Sequence, residues 1–281
     1  MNIARAIPVL MYHHVSPTPG LVTISPENFR AQMAYLAQNG WRTIGSRELE
    51  DFFAGKPLPE KSLMLTFDDG WLDNWLHAHP ILREFGLKAV LFLITGWIGD
   101  GPPRALAVTD DGTAPSCPTR FPAHRVCMEK VRGGQADEVM LRWSEVEAMR
   151  AAGSFEFHSH THTHTRWDKI EADAAPRREK LAADLAVSCQ ALQAHLGETS
   201  AHLCWPQGYH DDDYKQAATE GGFRYLYTTR PDTCTPSTAA GNIPRIVVKD
   251  RGAGWLARRL WLYRQPGLTR LYLGCQGKSG A

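Results

Sequence analysis

Short apolar runs alternate along this chain with segments whose apolar residues recur at helical spacing. The apolar runs are continuous, as in strands buried on both faces, and the strongest three cover residues 8–12, 61–67 and 89–94. Two helices are predicted between them, one from a start at residues 25–28 to Gly40 and one over residues 75–85. Alternating buried strands and amphipathic helices predict a mostly parallel sheet wrapped by helices.

The alternation is interrupted once and then resumes. Between residue 99 and about residue 140, Pro, Gly, Asp and Thr occur without clear periodicity, so we expect an inserted loop beside the functional site. The later pattern predicts helices over 143–152 and 176–196 and strands over 155–157, 201–205 and 223–227. We therefore expect one α/β barrel over residues 1–250, with chemistry at the carboxyl ends of its strands, followed by a tail over residues 251–281.

The composition is that of a globular domain with a large core. The chain has 281 residues, of which 43% are hydrophobic and 22% charged. Its formal net charge of +1 gives no global field to attract nucleic acid, so no nucleic-acid partner is expected. The first apolar run is too short for a signal peptide, and no segment reaches the about eighteen apolar residues of a membrane span, so we expect a cytoplasmic protein.

The six cysteines lack CxxC spacing, which favours reduced thiols over a disulfide framework. Cys117, His124 and Cys127 resemble a small metal knuckle. They lack a fourth ligand and the usual spacings, so we assign no metal to them.

Two short polar runs follow predicted strands. TFDDG at residues 66–70 carries two adjacent carboxylates, and HSHTHTH at residues 158–164 carries four histidines. One Asp and two His can hold a divalent cation with open positions for water and a substrate oxygen, while the second Asp accepts a proton. Each run also has a plainer interpretation, as a DDG bend and as a His-rich surface turn. A glycosidase is disfavoured, because its two carboxyl groups must lie apart across the scissile bond.

These two runs match the TFDDG and SHTxxH motifs of the NodB-type polysaccharide deacetylases, carbohydrate esterase family 4. The chain resembles that family from about residue 8 to residue 248. The resemblance implies a deformed (β/α) barrel, Asp68 as general base, and Asp69, His160 and His164 as ligands of a divalent metal, usually Zn²⁺. The spacing agrees, since imidazoles four residues apart can face one ion.

The second run contains more histidines than this ligand set needs. His158 and His162 compete with the other two for the metal. We expect His158, at a position that is often Gly in the family, to pack in the strand or behind the ligands. We expect His162 to point outward or to lie behind the ligands.

A third run, HLCWPQGY at residues 202–209, resembles the RPPYG segment of the family. By position, Pro206 and Gly208 fit, and the resemblance assigns the amide of Gln207 to the oxyanion. Cys204 replaces the Arg of the motif, and Arg245 is our candidate substitute for orienting the base. Two aromatic residues of this run are expected to stack on sugar rings, Trp205 and Tyr209.

The usual late histidine of the family, its general acid, has no counterpart here, because no histidine follows His210. MYHH at residues 11–14 resembles that motif moved to the amino terminus, as in the circularly permuted PgaB-like branch. The resemblance therefore implies His13 as the general acid, protonated near neutral pH, with His14 as the alternative.

The expected activity is removal of N-acetyl groups from N-acetylhexosamine units of a polysaccharide or a lipid-linked glycan, such as a lipopolysaccharide precursor. Three alternatives remain open: an O-acetyl esterase, a small-molecule deacetylase with the same metal centre, and a catalytically silent carbohydrate-binding barrel. Release of acetate from N-acetylated and O-acetylated sugars would separate them.

The tail has six basic residues and no acidic one. A possible helix there carries an apolar face of Trp255, Leu256, Leu260 and Tyr263. A basic amphipathic helix of this kind can lie on an anionic bilayer, here the inner membrane surface, or dock on the barrel. The sequence leaves both interpretations open.

Overall fold

A parallel sheet forms the centre of the protein. The computed structural model describes residues 2–106 and 121–277. Its strands are β1 (Val9–Tyr12), β2 (His14–Val15), β3 (Thr23–Ile24), β4 (Arg42–Thr43), β5 (Ser62–Asp69), β6 (Ala89–Leu93), β7 (Phe155–Ser159), β8 (His202–Cys204), β9 (Tyr225–Tyr227) and β10 (Ile246–Val247). The main sheet runs in the order β10-β1-β5-β6-β7-β8-β9, with β4 beside the start of β5, while β2 pairs only with β3. All of these pairings are parallel.

The segment 243–247 connects the two edges of this sheet. At its start, Ile243 bridges to Tyr227 of β9, and at its end Ile246 pairs with Leu10 of β1. The curled sheet is therefore closed by a segment that changes partners along its length. This confirms the predicted deformed (β/α) barrel.

The pleat of β5 separates two cores. All eight of its residues are buried, which explains its nearly continuous apolar sequence. Leu63, Leu65 and Phe67 join the large core beneath the helices, while Met64 joins a cluster with side chains from β1, β6, β8 and β9. Side chains from so many strands meet only inside the barrel. Asp68 lies four residues after Met64 in the same strand, so its side chain points to the same face, the interior of the barrel.

Helices cover the outside of the sheet. They are α1 (Pro26–Gln38), α2 (Ser46–Phe53), α3 (His79–Glu84), α4 (His124–Arg132), α5 (Trp143–Ala151), α6 (Ala174–Leu196), α7 (Asp212–Glu220), α8 (Ala253–Tyr263) and α9 (Pro266–Gly277). The predicted start of α1 is confirmed, because the Ser25 side chain caps it by accepting from the Asn28 amide. A π-helical turn, Asn74–Ala78, precedes α3, and Asn74 Nδ2 donates to the His13 carbonyl oxygen at 2.7 Å.

The segment between residues 99 and 140 is more regular than expected. It contains α4, and Val139 and Met140 near its end are fully buried. The remaining part of the expected loop, residues 107–120, lies outside the described residues. Polar residues and glycines around α4 hide its short helical pattern, which corrects the expectation of an irregular loop.

The tail forms two helices, and the apolar face expected to contact a membrane is largely occupied. Leu256, Leu260 and Tyr263 of α8 are buried and belong to the large core. This corrects the membrane hypothesis for that face, because burial under the barrel leaves these side chains unable to enter a bilayer. Other apolar side chains are exposed, namely Trp261 at 56% and Leu271 at 69%. No helix of the described residues combines the length and apolar character needed to cross a membrane.

Candidate metal centre and active site

The predicted functional residues meet at one end of the barrel. Asp68 and Asp69 end β5, His160 follows β7, and His13 follows β1. Because the strands are parallel, their carboxyl ends share one edge of the sheet. Arg245 directly precedes β10, in the segment that connects the two sheet edges.

Asp69, His160 and His164 form a compact group whose ligand atoms all lie within 4.8 Å of one another. Asp69 Oδ1 lies 3.4 Å from His160 Nε2 and 3.8 Å from His164 Nε2. His160 Nδ1–H donates to the Cys204 carbonyl oxygen at 2.8 Å, so Nε2 is the ring atom left for an ion. Trp71 Nε1 donates to Asp69 Oδ2 at 2.7 Å, which leaves Oδ1 toward the imidazoles. Two nitrogens and one carboxylate oxygen directed at a common point fit a divalent cation with open positions.

The protonation states of Asp69 and His164 favour cation binding, whereas that of His160 opposes it. Burial would raise the pKa of Asp69, but the hydrogen bond to His160 and the neighbouring imidazoles hold it well below its usual range. Burial, with help from His160, lowers the pKa of His164 to about 4, so this ring is neutral at neutral pH. Burial would lower the pKa of His160, but Cys204 and Asp69 raise it above its usual value. A proton on His160 therefore competes with a cation.

The backbone around the ligands is strained. Asp69, Thr161 and His164 have φ values of 76°, 67° and 57°, in the left-handed region that residues other than glycine rarely occupy. Thr161 Oγ1 accepts from the His164 amide at 3.0 Å. Asp184 of α6 accepts from the two backbone amides between Thr161 and His164, at 3.1 and 2.9 Å. These bonds hold the ligand loop, residues 160–164, in place.

Asp68 is clamped by a buried arginine. Arg245 is fully buried and donates from Nη1 to Asp68 Oδ1 at 2.7 Å and from Nη2 to Oδ2 at 2.8 Å. Its Nε donates to the Thr228 carbonyl oxygen at 3.0 Å, which fixes the plane of the fork. Burial would raise the pKa of Asp68, but the Arg245 charge holds it below its usual value. Asp68 is thus ionised, and the geometry is compatible with the role expected for Arg245.

A second group of potential ligands, Asp68, His160 and Cys204, shares these residues. The guanidinium of Arg245 contacts Asp68 and also lies 3.0 Å from Cys204 Sγ, so it would repel a cation there. Burial raises the pKa of the Cys204 thiol, which keeps it protonated. The Asp69 group is the better metal site.

His13 faces Asp68. Its Nε2 lies 3.7 Å from Asp68 Oδ2, and its partly exposed side chain lines a cavity over the site. Burial lowers the pKa of His13, although Asp68 and Asp69 oppose this change. This corrects the expectation that His13 is protonated near neutral pH, because the sequence motif carries no information about burial.

His14 points in another direction. It is buried, and its Nδ1 lies 2.7 Å from Asp73 Oδ2. Its Nε2 lies 3.1 Å from His124 Nδ1. Both ring nitrogens are engaged away from Asp68, so the geometry favours His13 over the alternative general acid.

The turn after β8 has the geometry needed to present an amide. Gln207 and Gly208 have φ values of 56° and 71°, both left-handed. A Cβ at Gly208 would lie 2.2 Å from Thr229 Oγ1, so only glycine fits there. Within the turn, the Gly208 amide donates to the Trp205 carbonyl oxygen at 2.9 Å, and the Tyr209 amide donates to the Pro206 carbonyl oxygen at 3.3 Å. Neither bond uses the Gln207 N–H, and Gln207 lines the cavity.

Of the two aromatic residues of this run, Trp205 does not have the expected role. Trp205 is fully buried, and its ring stacks on His210 with centroids 6.2 Å apart. Trp205 borders the cavity over the site but has no exposed surface, which corrects the stacking hypothesis for this residue. The Arg166 guanidinium covers the Tyr209 ring at 3.9 Å, and Tyr214 packs edge-on to it. One face of Tyr209 is thus already occupied.

A cavity of about 450 Å³ lies over the site. Its walls include Leu21 and Val22 from the loop before β3 and three residues of α4, namely His124, Met128 and Arg132. The sequence considered His124 only as part of a metal knuckle, and Cys117 of that set lies outside the described residues. The signal that could have revealed this wall is the four-residue spacing within α4.

Comparisons with known proteins identify the family of this chain. The family model described as Polysaccharide deacetylase matches residues 55–226. YxkH of Bacillus subtilis (strain 168), named after the same family, is 37% identical over 94 residues, which are 33% of this chain and 33% of YxkH. A Staphylococcus aureus (strain MSSA476) protein named poly-beta-1,6-N-acetyl-D-glucosamine N-deacetylase is 21% identical over 239 residues, 84% of this chain and 71% of that protein. This chain thus spans about a third of the length of YxkH.

A solved structure has the same fold. The Streptococcus pyogenes deacetylase PplD, solved in complex with acetate, matches with a TM-score of 0.71 and 20% sequence identity, over 94% of this chain and 100% of that one. The family model covers more than half of the chain and includes both the TFDDG and the SHTxxH motifs. The resemblance seen in the sequence is confirmed, and this chain belongs to the polysaccharide deacetylase family.

Proposed function

We propose that this protein is a hydrolase that removes the N-acetyl group from hexosamine units of a polysaccharide and releases acetate. One observation carries the proposal: a second carboxylate, Asp68, stands beside the metal-ligand group, held by Arg245 and 3.7 Å from His13 Nε2. Hydrolysis of an amide needs a base for the water and an acid for the departing amine. A cation site that only stabilised the fold would need neither group.

The relatives support a poly-N-acetylglucosamine-like substrate. The Staphylococcus aureus relative is named for poly-beta-1,6-N-acetyl-D-glucosamine and aligns with 84% of this chain. We therefore take a β-1,6-linked N-acetylglucosamine chain as the first substrate to test.

The cation is proposed to be Zn²⁺, held by Asp69, His160 and His164. Two imidazoles and a carboxylate suit zinc in catalytic sites, where a further position stays open. When bound, such an ion supplies Lewis-acid polarisation of the acetamide carbonyl and lowers the pKa of a water molecule.

The residues of the chain then move one proton. The ionised Asp68 accepts it from water as the C–O bond forms, and Arg245 keeps that carboxylate ionised until then. The proton passes across the 3.7 Å separation to neutral His13, which donates it to the sugar nitrogen as the C–N bond breaks. A neutral His13 in the resting enzyme, as its lowered pKa favours, suits this sequence.

The Gln207 amide has a separate role, which is to stabilise the developing negative charge. An N–H fixed by the strained turn at residues 206–208 donates to the oxygen on which negative charge develops. Because the turn is held by packing against Thr229, the donor needs no rearrangement during the reaction.

Leaving-group chemistry distinguishes the N-deacetylase from an O-acetyl esterase. An amine leaves only after protonation, whereas an alcohol depends less on an acid. We expect His13→Ala to reduce acetate release from N-acetylated sugars much more than from O-acetylated sugars. An equal loss on both substrates would contradict the role of His13 as the acid, and faster acetate release from O-acetylated than from N-acetylated sugars by the parent would favour the esterase.

The base assignment is tested with Asp68→Asn. The variant should keep its bound zinc and lose at least about a hundredfold in acetate release from β-1,6-linked N-acetylglucosamine oligomers. Asp212→Asn, on an exposed side chain far from the ligand group, is the matched control and should behave like the parent. Deacetylation at the parent rate in Asp68→Asn would refute the assigned base, and absence of any acetate release by the parent would refute the activity.

A further inference from the structure

Helix α4 places one of its faces along the cavity. His124, Met128 and Arg132 all line it, and they are spaced four residues apart. Side chains at this spacing lie one above another on a helix, here over a length of about 12 Å. On a different face, Arg125 is exposed and forms an ion pair with Glu129. The α4 wall, which we define as His124, Met128 and Arg132, is therefore longer than a single sugar ring.

His124 is oriented by two buried residues. Asp73 Oδ2 lies 2.7 Å from His14 Nδ1, and His14 Nε2 lies 3.1 Å from His124 Nδ1. Asp73 and His14 are almost completely buried, and the His14 ring stacks on Trp71 with centroids 4.6 Å apart. This chain of contacts fixes the position of the His124 ring from behind.

The same chain sets which nitrogen of His124 faces away from the buried residues. His124 Nδ1 pairs with His14 Nε2 at 3.1 Å. The opposite ring atom, His124 Nε2, is therefore directed away from the buried contact and can hydrogen-bond a ligand, as a donor or as an acceptor according to its tautomer. Burial and the neighbouring His14 lower the pKa of His124, so the neutral ring prevails at neutral pH.

The first turn of α4 lies close to the facing loop. A Cβ at Gly20 would lie 3.6 Å from the His124 backbone nitrogen, so the loop approaches the helix closely there. The next two residues of the loop, Leu21 and Val22, line the cavity together with the α4 wall, and Leu21 is 74% exposed. The cavity is therefore bounded by an apolar loop and by a helix face that carries one imidazole and one cation.

We infer that the α4 wall binds the glycan chain beside the reacting unit, with His124 Nε2 hydrogen-bonded to a sugar hydroxyl, which can either donate or accept. This inference rests on the proposed function and extends it to substrate length. Met128 and Arg132 contact the next part of the chain, so the protein acts on oligomers in preference to a single N-acetylhexosamine. His124 is a positioning residue, whose bond to the substrate is worth about tenfold in affinity.

The test compares His124→Ala with Arg125→Ala, a control on the exposed face of the same helix. Substrates are N-acetylglucosamine, its β-1,6-linked pentamer, and 4-nitrophenyl acetate, an ester too small to follow the wall. His124→Ala should raise KM for the pentamer about tenfold with little change in kcat, and leave hydrolysis of the ester unchanged. Arg125→Ala should match the parent on all three. His124→Gln, which retains a polar group near the Nε2 position, should recover part of the loss.

Two results would overturn the inference: an unchanged KM for the pentamer in His124→Ala, or an equal loss on the pentamer and the ester. Pentamer binding to Asp68→Asn, with and without His124→Ala, is measured by calorimetry to separate this inference from the proposed function. If the parent binds the pentamer but releases no acetate, the proposed activity fails. Even then, roughly tenfold weaker pentamer binding by Asp68→Asn/His124→Ala than by Asp68→Asn would support binding of the glycan by the α4 wall. Equal binding by the two variants would refute it.

Discussion

Arg245 is the residue on which the state of the catalytic carboxylate depends. A carboxylate buried as deeply as Asp68 would be protonated without a cation beside it, and Arg245 supplies both the charge and a two-bond fork. The small side chain of Cys204 leaves room for the guanidinium, 3.0 Å from its sulfur. An arginine distant in sequence thus lies beside position 204, where the family motif has its arginine.

Removing Arg245 should therefore cost stability as well as activity. Arg245→Met leaves Asp68 buried without its two-bond partner, and we expect a loss of about 3–5 kcal/mol in the free energy of unfolding, measured with urea. Adding Asp68→Asn should restore part of that loss, because the unpaired charge is gone. If the loss of unfolding free energy in the double variant equalled the sum of the losses in the two single variants, the ion pair would not be the source of the effect.

For single residues, the sequence predicts local chemistry better than it predicts which side chains are buried. The adjacent aspartates and the spaced histidines are each contained in a run of a few residues, so their motifs identify them directly. Trp205 was misjudged because a motif position does not show whether a ring is covered. The role of His124 was missed because its hydrogen-bond partner, His14, lies 110 positions away.

Among the structural elements, the pairing of the ligand loop with α6 matters most. Residues 160–164 adopt left-handed conformations at two positions, and Asp184 of α6 accepts hydrogen bonds from two of their amides. The loop follows β7 directly, so it fixes both imidazoles relative to Asp69 at the end of β5. A helix that packs outside the barrel thus controls the geometry of the metal centre.

Asp184→Ala should weaken the metal site without touching a ligand. With the two amides unpaired, the strained loop relaxes, and we expect zinc affinity to fall about 10–100-fold. The control is Glu179→Ala, at an exposed position of the same helix. Zinc affinity is measured by competition with a chromogenic chelator, and an unchanged value for Asp184→Ala would contradict the role given to this element.

The elements themselves were predictable where the apolar pattern is long. The buried runs of β1, β5 and β6 and the capped start of α1 stand out in the sequence. Helices α2 and α7 were not predicted, since each has only eight or nine residues and a largely polar sequence. Strands β2, β3 and β4 have two residues each, too few to show any period.

At the scale of the whole molecule, closure of the barrel positions Arg245 in the candidate active site. The segment 243–247 pairs with β9 at its start and β1 at its end, so Arg245 enters the interior between the two sheet edges. Nothing in a five-residue segment reveals such a change of partner, because it depends on the curl of the entire sheet. In the tail, α8 packs against α1, and the opposite side of the tail is exposed to solvent.

We propose that the outward side of the tail contacts anionic lipid. Trp261 and Leu271 are exposed there, and so are Arg258 and Arg270. The protein should cofloat with vesicles containing phosphatidylglycerol, and Trp261→Ser with Leu271→Ser should reduce binding several-fold while the fold is kept, because both side chains are already exposed. Equal flotation of the parent with neutral phosphatidylcholine vesicles, or no flotation at all, would contradict this proposal.

The central claim is that one divalent cation is held by Asp69, His160 and His164. It is tested most directly by anomalous diffraction at the zinc edge from crystals of the zinc-loaded protein. The account predicts one strong peak within bonding distance of Asp69 Oδ1 and of Nε2 of both histidines, and its loss in Asp69→Asn. A peak elsewhere in the barrel, or no peak at this site under saturating zinc, would contradict it.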